Sequence, residues 1–154
     1  MKGIRLLACT VLFYGYAALA DTGEPLPLHD ATAVKVAGDR LARCAGIYRG
    51  AAELMRRSGR DDSAAYAESV GFGALFAAYL LFTSPVAVET GILDDVDPNV
   101  HIEALAWGTE RNFILSDEHA DPSRSESLRA CRETNVMQSS LLRGALPVLA
   151  RSFP

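Results

Sequence analysis

Only three cysteines occur in the 154 residues, and no two of them form a C-x-x-C pair. A thioredoxin-like dithiol and covalent haem attachment both need that spacing, so both are excluded. Metal-site and nucleophile signatures are missing too. There is no H-E-x-x-H to set two imidazoles on one helical face, no G-x-S-x-G elbow and no glycine-rich turn between a strand and a helix. Gly71-Phe72-Gly73 lies inside a helical pattern, where close helix packing accounts for it better than a dinucleotide does. Positive charge is in short supply: 15 Lys and Arg stand against 19 Asp and Glu. That excludes nucleic acid as a partner, because phosphate binding needs a concentrated basic surface. The one small basic cluster, Arg56, Arg57 and Arg60, falls at the end of a helical pattern, where the helix dipole favours cations.

What is present begins with an export signal. Lys2 and Arg5 make a positive start, Leu6 to Ala17 an apolar run, and Ala18-Leu19-Ala20 a small-x-small cleavage site, so residues 1–20 read as a signal peptide and Asp21 as the mature N-terminus. Leu6-Leu7-Ala8-Cys9 also resembles a lipoprotein lipobox, but the apolar run continues past Cys9 where a lipoprotein turns polar. Losing Lys2 and Arg5 leaves 13 basic against 19 acidic side chains. Cys9 leaves as well, and Cys44 and Cys131 remain with one connectivity between them. In a periplasmic or secreted protein, such a pair reads as a structural disulfide.

Residues 21–154 read as a single all-α domain of the four-helix-bundle kind. Asp30 caps a helix over residues 31–59, in which Val34, Ala37, Leu41, Cys44, Tyr48, Ala51 and Met55 form a heptad stripe. Lys35, Asp39, Arg43, Arg49, Glu53 and Arg57 fall on its other side and are expected in solvent, and Gly59 ends it. A second helix is expected over 63–83, a short turn around Val88 to Leu93, a third helix over 98–116 from the Asp97-Pro98 start, and a fourth over 122–146, ended or kinked by Pro147. An up-down-up-down path makes the first and last helices antiparallel neighbours. Cys44 then lies about 21 Å from one end and Cys131 about 22 Å from the same end, so a bridge between them is expected.

Val70 to Val88 holds nineteen residues without a charge. It reads as a buried core helix or an oligomer contact; the rival is a membrane span over 70–88, which the acidic flank Glu89, Asp94, Asp95 and Asp97 fits poorly. Asp95, Asp97 and Asn99 match the opening of a calcium loop, but Val100 and Ala106 stand where it needs glycine and glutamate. His29, His101 and His119 show no ligand spacing; Glu118 and His119 could join Asp121 in a surface metal site, but His119 reads as an exposed residue of the polar hinge Asp117 to Ala120, before the Asp121-Pro122 helix start. Neither metal nor cofactor is expected. Tyr48, Tyr66, Phe72, Phe76 and Trp107 are the residues that could line an apolar cavity. The expectation is a non-catalytic exported protein that binds a protein partner or a small apolar ligand, with helix two as a contact between copies. An enzyme of another type is the third reading.

Overall fold

The computed structural model describes residues 30–118 and 122–152, with the side chains of residues 118 and 145–152 left aside. The signal peptide, Cys9, His29, His119 and Asp121 lie outside the described residues. Within them the chain forms five helices and no strand: α1 Ala31–Arg57, α2 Asp61–Phe82, α3 Pro85–Thr90, α4 Pro98–Glu118 and α5 Ser123–Ser152.

Local chemistry sets most of these boundaries. The Asp30 carboxylate accepts from the backbone N–H groups of Thr32 and Ala33, filling two of the donors that a helix start leaves unpaired. At the other end of α1 the Gly59 N–H donates to Arg56 O and the Arg60 N–H to Met55 O, each at 2.9 Å. This Schellman closure needs a left-handed residue, and Gly59 supplies it at φ +73°. The turn is so tight that α2 starts at Asp61, two residues earlier than the sequence reading, with Asp61 and Asp62 in its first turn. Asp97 Oδ1 caps α4, accepting from Asn99 N and Val100 N at 2.8 and 3.3 Å.

Two further boundaries differ from expectation. The short helix is α3, centred nearer Ala87 than Leu93, because Ser84 caps it and Pro85 occupies its first position; Gly91, at φ +59°, closes it. Further on, α5 continues past Pro147 to Ser152. A proline removes one backbone donor, and here the helix runs on through that single loss.

At the centre lies α1. Its Val34, Leu41, Ala42 and Ala45 meet Ala74, Ala77, Ala78, Leu81 and Phe82 of α2 and Ile102 and Ala106 of α4 in the main core. Cys44, Ile47, Tyr48 and Ala51 form a second cluster with Phe113 and Cys131. Asp39 pairs with His101, and Arg49 with Glu103 and Glu110, so α4 runs parallel to α1. Met137, Leu141 and Leu142 pack on the first cluster and Leu128 on the second, so α5 runs back the other way. The up-down-up-down order therefore holds, and α1 does touch α5. The closest partners of α1 are nevertheless α2 and α4.

Small residues explain that closeness. A Cβ on Gly46 would overlap the Ala106 carbonyl oxygen and come within 2.9 Å of Glu110 N, so here α1 and α4 meet backbone to backbone. The polar side of α1 is in consequence only partly in water. Asp39 is 23% exposed and hydrogen-bonded to His101 of α4, and Arg49 is 30% exposed and ion-paired to Glu103 and Glu110, where the sequence pattern alone places both in solvent.

The Asp39 join carries a pH dependence. Burial by itself would raise this carboxyl, but the hydrogen bonds from Lys35 and His101 outweigh it and hold the group below its usual 3.8. A depressed carboxyl contributes stability that is fully present above about pH 4 and is lost as pH falls through the lower folded value. We expect Asp39→Asn to cost about 1–2 kcal/mol at pH 6. The gap from wild type should narrow at pH 3 in thermal unfolding, and a constant gap would contradict the assignment.

Candidate functional site

The described residues hold no group of three or more His, Cys, Asp or Glu side chains arranged for a metal. Asp97 is used as a helix cap, and Asp94 and Asp95 sit in left-handed turn conformations at φ 45° and 66°. His101 is a boundary residue in the first turn of α4. Its Nε2 lies 2.7 Å from Asp39 Oδ1, and Phe82 packs edge-on to its ring at 5.2 Å. The pair thus joins α1, α2 and α4.

Cys44 and Cys131 are brought together: their sulfurs lie 2.07 Å apart and their Cα atoms 5.4 Å, within disulfide reach. Both are buried, beside the equally buried Thr134, whose hydroxyl donates to Ala130 O at 3.0 Å. A cysteine pair at this distance points to an oxidising, extracytoplasmic environment.

The five aromatic residues expected around a cavity are not brought together. Tyr48 is buried in the second core cluster, with its hydroxyl 3.2 Å from Asn135 Oδ1. Burial raises this phenol above its usual range, against the smaller opposing effects of Asn135 and Arg132. Phe76 is half-buried, whereas Tyr66 and Phe72 face outward on α2 and Trp107 faces outward on α4. The reason is the shape of the core. Alanine and glycine on α2 (Ala64, Ala67, Gly71, Ala74, Ala77 and Ala78) take most of the face against α1, joined at its end by Leu81 and Phe82, and the rings of Tyr66 and Phe72 are left to the other side. Gly71 is pressed so close that a Cβ would lie 3.2 Å from Tyr48 Cβ. Close packing at Gly71 and Gly73 is therefore as expected, with Gln138 of α5 reaching over to donate to Val70 O at 3.2 Å.

The outcome is a partly uncovered aromatic surface, with Phe72 and Tyr79 exposed and Phe76 and Leu80 half-buried. Phe72, Phe76, Tyr79 and Leu80 recur at helical spacing on the outer side of α2, with Phe72 71% exposed. No charged residue interrupts the chain from Ser69 to Val88. An apolar patch on one helix flank is the kind of surface that marks a contact with another molecule. Helix α2 is long and apolar enough to cross a membrane, with a mean hydropathy of 1.4 over its best window and 39% of that window buried within the protein. The run 70–88, however, is not one helix. It breaks after Phe82, and its thirteen helical residues up to that point span about 20 Å, short of a hydrocarbon core of about 30 Å.

No protein-family model, curated protein or solved structure matches this chain.

Proposed function

We propose that this is an exported, non-catalytic binding protein, periplasmic or secreted, that docks an apolar segment of a protein partner on the outer face of α2. The observation that carries the reading is the pairing of two facts about one helix. Its small residues are committed to α1, and its large ring Phe72 stands 71% exposed. Burying such rings in a partner's pocket is how a small surface gains most of its affinity. The Cys44–Cys131 pair and the signal-like first twenty residues support the compartment.

A photo-reactive residue placed at Phe72 tests this in cells, with the same residue at exposed Arg43 as control. The expected result is a discrete protein adduct from position 72 alone, lost when Tyr79 is changed to Ser. Phe72→Ser itself should move unfolding by no more than about 0.5 kcal/mol, as for surface changes generally. Finding no adduct, or equal adducts at both positions, would remove the docking face.

Membrane attachment through α2 is the second reading, favoured by the length and hydropathy of that helix. A lipid-embedded α2 would have to give up the packing of Ala64, Ala67, Ala74, Ala77 and Ala78 on the rest of the protein. Lipid adducts at position 72, with the protein in the membrane fraction after carbonate washing, would decide for it.

A further inference from the structure

Helix α4 is apolar on two sides. Ile102, Ala106 and Phe113 are buried toward α1. The opposite side carries Val100, Ala104, Trp107, Arg111 and Leu115, all exposed, with Val100 at 63% and Trp107 at 59%. Steps of four, three, four and four residues make a heptad-like seam, the pattern of a helix that meets another helix along its length.

We propose that this outer face of α4 is the seam of an antiparallel homodimer, α4 packed against α4 of a second copy. Its residues are complementary in size to their own reversed order. With a two-fold axis between Trp107 and Gly108, each indole lies over Gly108 of the other copy, Ala104 faces Arg111, and Val100 faces Leu115. Beyond its own stretch of helix, Gly108 has no atom within 4 Å of where a Cβ would stand, which leaves room for the ring. A self-complementary patch of this kind is what a two-fold interface requires.

Charge selects the same occupant and its direction. The Arg111 guanidinium lies 5.6 Å from the centre of the Trp107 ring and has no carboxylate partner among the described residues. Antiparallel pairing brings it beside Glu103 of the second copy, whose carboxylate is 57% exposed and held from one side by Arg49. Parallel pairing would instead set Arg111 on Arg111. One 21-residue helix per copy makes a small interface, at the low end of specific contacts, so the dissociation constant is expected on the order of micromolar.

Trp107 is the only tryptophan in the chain, so its emission reports the contact directly. Sedimentation equilibrium and fluorescence of the purified protein, from roughly 1 μM to 1 mM, should show the mass doubling and the emission moving to the blue over the same range. Gly108→Leu fills that space from a position where a Cβ meets no neighbour in the monomer, and Val100→Asp places an acid in a helix first turn, where the dipole tolerates it. Each should weaken association at least about tenfold with the helical circular dichroism unchanged, while Phe72→Ser leaves it as in wild type. A monomer at every concentration overturns the proposal. So does a dimer indifferent to both seam variants, or one that Phe72→Ser dissolves.

Discussion

Replacing Cys131 by Ser is expected to lower the unfolding free energy by about 4 kcal/mol, because the cross-link then no longer restricts the unfolded chain. The bridge joins residues 87 apart in sequence, a loop long enough for that estimate on the chain-entropy model. For a protein of this size the thermal midpoint should fall by roughly 10–20 °C. Reducing the wild type before heating should reproduce most of the loss. Cys44 sits in a cluster with Ile47, Tyr48, Ala51 and Phe113, and those contacts survive reduction. The reduced protein should therefore stay helical at low temperature, and only its stability should drop. A variant as stable as the oxidised wild type would show that the join between α1 and α5 contributes nothing.

Gly46→Ala is expected to destabilise by about 2–3 kcal/mol, although alanine is the better helix former. Helix propensity alone predicts a gain of about 1 kcal/mol, so the sign of the result separates the two effects. The steric effect wins because the obstacle is backbone. The added methyl would meet the Ala106 carbonyl, which cannot rotate away as a side chain can, and α4 would have to move off α1. That displacement would strain the Arg49 pairs to Glu103 and Glu110, both at 2.9 Å. Gly50 is less constrained, since its nearest obstacle is the Phe113 ring at 3.0 Å. Gly144 on α5 has nothing within 4 Å, and Gly144→Ala should instead be neutral or stabilising by up to about 1 kcal/mol. Chemical denaturation of the three proteins side by side reads both signs. A stabilised Gly46→Ala would mean that α1 and α4 are farther apart than described.

The elements legible in the sequence were those whose signals are local. Asp30, Gly59 and Asp97 act at helix ends through their own side chain or φ angle, and each works as its residue type implies. The α1 heptad stripe was readable for the same reason, being apolar on one side. Its Cys44 does meet Cys131, as the matched heights on antiparallel helices required.

What could not be read was which side of a helix with apolar residues on more than one face would be covered. From Ser69 to Phe82 of α2 no charge marks a polar side, and on α4 apolar residues fall on two sides, so periodicity does not choose a buried face. Along most of α2 size chooses it: alanines and Gly71 turn toward α1 and Phe72 is left outside, whereas on α4 Ile102 and Phe113 go inward and Trp107 outward, so a shared aromatic cavity does not form. A signal for this was available in Gly46 and Gly50, four residues apart inside a helix. Two such glycines on one face mark a close approach by another backbone. Such a pair predicts a close helix neighbour for α1; the structure makes it α4, with Asp39 and Arg49 at that interface.

The thiol state of protein taken from intact cells, alkylated before lysis and read by intact mass and peptide mapping, tests export and the α1–α5 join together. The expected species begins at Asp21, has no alkylated cysteine, and gives Cys44 and Cys131 in one linked peptide pair that separates on reduction. A chain that retains Met1 and is alkylated at both Cys44 and Cys131 without denaturant would contradict the account.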